Sequence, residues 1–228
     1  MSKLGNLNFV FKGSSEAKNA FIVLHGYGAD MHDLASLGQW LAPRVDAAWY
    51  FLQAPLEVAI GPHMTGRAWF PIDMMKLQMA TDSGNFSTLF EDHLPEGIDD
   101  SAKQVKEVIE LVGQRHEKVH LAGFSQGSMM SAKLALENQS LISSLTMLSG
   151  VLVSKNIWQK HITGEVSFPT FQSHGLMDPV LPIQEARKLR DFLTSINSEH
   201  DYIEFQGGHE IPMNVLDRWL KFLQRVIA

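Results

Sequence analysis

Cysteine is absent from all 228 residues. Its absence rules out a disulfide framework, a thiolate nucleophile and any cysteine-based metal site, and it fits a reducing compartment. Long apolar runs are lacking too. No stretch approaches the roughly 18 consecutive apolar residues of a membrane span, and the opening MSKLGNLNFVFKG turns polar too soon for a signal-peptide core. A soluble, cytoplasmic protein with no stable membrane insertion is expected. Nor is there surplus positive charge: 19 Lys and Arg stand against 25 Asp and Glu, a net −6, and the basic residues are scattered. Such a surface gives no field for phosphate backbones, so nucleic acid is not an expected partner.

The residues that are present form an ordinary globular composition, 45% hydrophobic and 19% charged, in a length suited to one α/β domain spanning residues 1–228. Short continuous apolar runs recur at Ala20–Leu24, Ala47–Leu52, Val119–Ala122, Leu145–Leu148 and Thr170–Ser173, with a last candidate at Asp201–Phe205. Runs of this kind suit strands buried on both faces. Between them lie helical patterns. Ile98, Ala102, Val105, Ile109 and Val112 make one apolar stripe, while Lys103, Lys106, Glu107 and Glu110 face water. Pro182 stands where a first-turn proline belongs, ahead of Ile183, Ala186, Leu189 and Leu193, and Leu216, Trp219, Leu220 and Leu223 mark a final amphipathic helix. Strands alternating with helices imply a mostly parallel sheet covered on both faces. One stretch, Ala59 to Glu91, breaks the rhythm with Gly61, Pro62, Gly66, Pro71 and Gly84, and reads as an insertion over the working edge of the sheet.

Gly123-Phe124-Ser125-Gln126-Gly127 directly follows the apolar VHLA and precedes the helix-forming SMMSAKLALE. A sharp strand-to-helix turn of this type exposes a strained serine at the sheet's carboxyl edge and needs glycines at its flanks. The helix that follows aims its free N–H groups and dipole at the point where an oxyanion forms during acyl transfer. Ser125 is therefore the candidate nucleophile.

A serine hydroxyl needs a base, and the base an orienting carboxylate, in the chain order Ser, Asp, His for this turn. Of the later aspartates only Asp178, in Ser173-His174-Gly175-Leu176-Met177-Asp178-Pro179, leaves a strand at its carboxyl end. Asp191 and Asp217 fall on polar helix faces, and Asp201 begins the last strand at the wrong edge. Among the histidines, His209 in Gln206-Gly207-Gly208-His209 lies just past the last strand. His200 precedes that strand, His161 sits in a polar connection, and His174 at a strand end suits packing or loop bonding. Metal catalysis is not expected, because His116 and His120 straddle a helix-to-strand boundary and no H-E-x-x-H occurs. The loop after the first buried strand, His25-Gly26-Tyr27-Gly28-Ala29-Asp30, would supply one oxyanion donor, the N–H of Tyr27, and Gln126 the other. No cofactor is needed for such chemistry.

Together LHGYGAD, GFSQGSMMS, SHGLMDPVLP and GGHEIP resemble the carboxylesterase and acyl-protein thioesterase family, also called the phospholipase/carboxylesterase family, from about Asn19 to the C-terminus. The resemblance implies an α/β-hydrolase fold without a large cap domain, active on carboxylic esters or acyl thioesters. It carries the family triad onto Ser125, Asp178 and His209 and the oxyanion donors onto Tyr27 and Gln126. Arg67-Ala68-Trp69-Phe70 looks like the family's R-x-W-F stretch bordering the acyl site. Two departures stand out: Ser128 where many members carry a second glycine, and Pro71 where an aspartate follows W-F. The family habit is a homodimer, which no feature of the sequence requires.

Within the insertion, Trp69, Phe70, Met74, Met75, Leu77 and Met79 suit either an adaptable acyl groove or packing of the loop on itself, and Val180 beside Asp178 is a further wall candidate. The expected partner is thus a small ester, a thioester or a lipid-like acyl substrate. A protein S-acyl group or a lysophospholipid as natural substrate, and a catalytically silent binding module, are the rival readings.

Overall fold

A computed structural model describes residues 2–89, 94–162 and 164–228. The apolar runs become strands β3 (Asn19–Leu24), β4 (Ala48–Leu52), β7 (Lys118–Phe124), β8 (Ser144–Leu148), β9 (Thr170–Gly175) and β10 (His200–Phe205). All six lie parallel in one eight-stranded sheet, which β2 (Leu7–Gly13), antiparallel to β4, and β1 (Ser2–Leu4), antiparallel to β2, complete. The order is β1-β2-β4-β3-β7-β8-β9-β10.

The pleat divides the core in two. Ile22, Leu24, Tyr50, Leu121 and Met147 face one side, and Phe21, Val23, Trp49, Phe51 and Phe171 face the other. The first face is covered by α3 (Ile98–Gly113), α4 (Gln126–Glu137), α5 (Lys155–Lys160) and α6 (Ile183–Ile196). The second is covered by α1 (Ala35–Leu41) and α7 (Met213–Ile227). Helix α3 carries Asp99 and Asp100 in its first turn, where carboxylates oppose the helix dipole, while prolines 182 and 212 sit immediately before α6 and α7. Residues Gln126 to Leu136 of α4 are all buried. This helix is central to the fold rather than amphipathic, and its start is held against the middle of the sheet.

The 59–91 insertion begins earlier than its glycines and prolines suggest. It opens with the antiparallel hairpin β5 (Leu56–Gly61) and β6 (Met64–Ala68), followed by α2 (Met74–Asp82), whose first turn is capped by Asp73 accepting from Lys76 N–H at 3.1 Å. Its end at Glu91 lies outside the described residues. The hairpin is fastened to the loop after β3 by two backbone bonds, Gly28 N–H to Arg67 O at 2.8 Å and Arg67 N–H to Ala29 O at 2.9 Å. Among the described residues no helix is long and apolar enough to cross a membrane.

Candidate active site

Where β7 hands over to α4 the backbone makes a tight elbow. Ser125 has φ 53° and ψ −118°, a region L side chains avoid, at a cost of about 1–3 kcal/mol. Its flanks leave no room for side chains: a Cβ on Gly123 would lie 2.2 Å from Gly127 O, and one on Gly127 would lie 2.1 Å from Leu24 O. Ser125 N–H is tied to Leu148 O at 2.8 Å, so the strained residue is held from β8 as well. As N-cap of α4, Ser125 stands at the positive end of that helix, whose first N–H groups have no partner within the helix.

Asp178 follows β9 and His209 follows β10, two strands paired in parallel, so both loops emerge at the same edge. His209 Nδ1–H donates to Asp178 Oδ2 at 2.7 Å. That assignment leaves Nε2 as the free base. The imidazole packs on Phe124, the residue before Ser125, with ring centroids 4.9 Å apart. The other carboxylate oxygen, Oδ1, accepts from Val180 N–H at 2.8 Å and Leu181 N–H at 2.9 Å. Burial alone would raise the Asp178 carboxyl. The hydrogen bond and charge of His209, with the two backbone donors, outweigh burial and hold the group below the usual carboxylate range. Two of the other later aspartates are occupied elsewhere: Asp191 pairs with Arg190, and Asp201 with Arg218.

Between the elbow and the hairpin–α2 stretch runs a narrow apolar cleft of about 30 Å³ lined by Tyr27, Ile72, Met74, Leu77, Ser125, Gln126, Met129, Val180 and Leu181. It brings the serine together with the two residues expected to offer oxyanion donors, and with Met74, Leu77 and Val180 among the wall candidates. Trp69 and Phe70 lie fully buried beneath, in the core, and Met75 and Met79 are turned to solvent, 77% and 67% exposed. Ile72, Met129 and Leu181 were not singled out by the sequence. Met129 sits inside a buried helix with nothing to mark its facing, whereas Leu181, beside Val180, lay within reach of the same argument.

The loop after β3, expected to supply an oxyanion donor, has its own supports. Ala54 N–H donates to His25 Nε2 at 3.1 Å, so the proton of that imidazole must sit on Nδ1, which reaches Gly26 O at 2.8 Å. Burial pushes His25 below the ordinary histidine range, and the ring stays neutral. Trp69 indole N–H donates to His25 O at 2.8 Å. The side chain of Gln126 spans the insertion: Oε1 accepts from Trp69 N–H at 2.9 Å, and Nε2 donates to Phe70 O at 2.6 Å. These bonds bind the W-F stretch to the residue after Ser125.

Residues 6–227 match the family model described as phospholipase/carboxylesterase. The chain is 30% identical over 183 residues to acyl-protein thioesterase 1 of Saccharomyces cerevisiae, covering 77% of each chain. It is 27% identical to acyl-protein thioesterase 1 of Gibberella zeae, covering 95% of this chain and 94% of that one. Among solved structures, esterase PE8 superposes with a TM-score of 0.76 at 23% identity, over 96% of this chain and 99% of that one. Acyl-protein thioesterase 2 of Zea mays superposes with a TM-score of 0.72 at 20% identity, over 98% and 100%. These likenesses show an α/β-hydrolase fold, and among the described residues its sheet edge carries no large cap.

Proposed function

We propose that this chain, which belongs to the phospholipase/carboxylesterase family, is a serine hydrolase that cleaves carboxylic esters or acyl thioesters through an acyl-enzyme on Ser125. The observation that carries the reading is the Asp178–His209 hydrogen bond, 2.7 Å long and shielded from water on the aspartate side, at the sheet edge where the strained Ser125 stands.

In the first step His209 Nε2 takes the Ser125 hydroxyl proton as the oxygen attacks the acyl carbonyl. The imidazolium that forms is stabilised by Asp178, which stays ionised. The developing oxyanion is received by the N–H groups of Tyr27 and Gln126, at the dipole end of α4. Collapse of the tetrahedral intermediate breaks the bond to the leaving alcohol or thiol, which receives the proton from His209. Water, deprotonated by the same imidazole, then attacks the acyl-enzyme and releases the carboxylic acid and Ser125. The side chains and backbone donors named here account for every proton movement, so the reaction calls for no cofactor. The acyl chain is assigned to the cleft walled by Ile72, Met74, Leu77, Met129, Val180 and Leu181, whose apolar side chains suit a hydrocarbon tail.

A fluorophosphonate probe tests the mechanism: labelling of Ser125 in the wild type, and none in Ser125→Ala, is the expected outcome. An unlabelled wild type would favour the binding-module reading instead. The names of the two fungal relatives favour a protein S-acyl thioester as natural substrate. Turnover of short-chain esters, long-chain acyl thioesters and lysophospholipid, compared on one preparation, ranks the three substrate classes.

A further inference from the structure

A second histidine touches the triad carboxylate. His174, the fifth residue of β9, has its side chain completely shielded, as has Asp178. Its Nε2 lies 2.8 Å from Leu181 O and 3.3 Å from Asp178 Oδ2, the oxygen that holds His209. A carbonyl can only accept, so Nε2 carries the proton. Nδ1 is buried without a hydrogen-bond partner among the described residues, and a second proton there would have nowhere to go. The ring is therefore neutral, in the Nε2–H form.

These contacts close a ring of bonds. Leu181 N–H donates to Asp178 Oδ1, Leu181 O accepts from His174, and the His174 N–H dipole lies against Asp178 Oδ2. The loop bearing the carboxylate is thereby strapped back onto the strand it left. The carboxylate is held from both sides, its Oδ1 by backbone and its Oδ2 between two imidazoles.

We propose that His174 is a positioning residue of the triad: its neutral Nε2–H fixes the Asp178 loop through Leu181 and shares Oδ2 with His209, setting how tightly that carboxylate holds the catalytic imidazole. This rests on the triad reading above. The charged and titratable groups facing His174 are Asp178 on its own loop, His209 on the loop after β10, and Glu204 of β10, itself paired with Arg187 and Arg190 of α6. Burial pushes His174 below the ordinary histidine range, ahead of every other influence, in keeping with a neutral ring at working pH.

His174→Leu removes the donor and His174→Gln returns an N–H near the Nε2 position. In His174→Leu, kcat is expected to fall by about 10- to 100-fold with KM little changed, the scale of a modest misplacement of a reacting group. The acid limb of the kcat/KM profile should move to higher pH, because a carboxylate that loses the polar N–H group beside its Oδ2 holds the His209 proton more tightly. His174→Gln should recover most of the lost kcat and the original limb. A His174→Leu enzyme with an unmoved limb, and with activity lost only in proportion to its unfolded fraction, overturns the proposal. Should that variant not fold, ring-nitrogen NMR of the wild type decides. A His174 fixed as Nε2–H with no titration between about pH 5 and 8 supports the proposal, and a titrating or Nδ1–H ring refutes it. The NMR result is independent of turnover, so failure of Ser125 labelling in the wild type would sink the hydrolase reading without being confused with failure here.

Discussion

Leu77 is the buried member of α2 that meets the cleft, 6% exposed and packed in the same core as Met129 and Leu181. Leu77→Ala removes the branched end of that side chain and opens the wall by room for about two methylenes of an acyl tail. Each buried methylene is worth about 0.8 kcal/mol, so two give about 1.6 kcal/mol, or about 15-fold in kcat/KM. The assay is a series of p-nitrophenyl esters from butyrate to decanoate, scored as the ratio of octanoate to butyrate rates. That ratio should rise about 15-fold over the wild type. Absolute rates will also fall, because truncating a buried leucine costs about 2–5 kcal/mol, but a ratio within one preparation is insensitive to that loss. A folded Leu77→Ala enzyme whose ratio stays within about twofold of the wild type would falsify the placement of the acyl tail against α2.

Asp178→Asn should leave KM near its wild-type value and lower kcat about 1,000-fold, since a charge about 4 Å from the imidazolium is worth about 4 kcal/mol at an effective dielectric of 20; a loss under tenfold would remove Asp178 from the triad. His120 is buried against Ser144 and Asn19 and pushed down to about 3. Below pH 6.5 the unfolded chain therefore takes a proton that the native state refuses, and stability falls as pH falls, by about 2 kcal/mol between pH 7 and 5. Urea unfolding of His120→Gln at both pH values should show that loss reduced by about this amount, and equal losses in variant and wild type would refute the assignment. Gln126→Ala strips partners from Trp69 N–H and Phe70 O, at about 1–3 kcal/mol each. It should lower the urea midpoint and speed tryptic cleavage at Arg67, and an unchanged midpoint would show that the two groups find other partners.

The central parallel strands were legible because burial on both faces favours near-continuous apolar runs, as in Ala20–Leu24 of β3 and in β4. β1, β2 and the hairpin were not, because their residues are only partly covered: β2 is half-exposed along most of its length, and β5 and the start of β6 face mostly solvent. With no face fully buried, the two-residue period is blurred and glycines and prolines dominate the reading. The elbow was legible for a chemical reason, since the backbone forbids side chains at Gly123 and Gly127 and the sequence must show it. The carboxyl edge was likewise inferable from strand direction, which is why the reading set Asp178 apart from Asp201. The contacts of His174 and Met129 depend on how a strand end and a helix face are turned, and one-dimensional spacing carries no record of that. For His174 the sequence indicated only packing or loop bonding; the bond to Leu181 O fits that reading, and the contact with Asp178 goes beyond it.

Gln126 makes the insertion a poor candidate for modular exchange. It lines the cleft beside Ser125 while its amide grips the W-F stretch at both Trp69 and Phe70. A recombinant chain that borrowed residues 56–82 from a relative would inherit a new cleft wall together with a new fit to the start of α4. Substrate range and turnover would then change together, so drift in specificity should proceed by substitutions on the inner wall, at positions such as Leu77 or Met129, rather than by wholesale replacement of the loop.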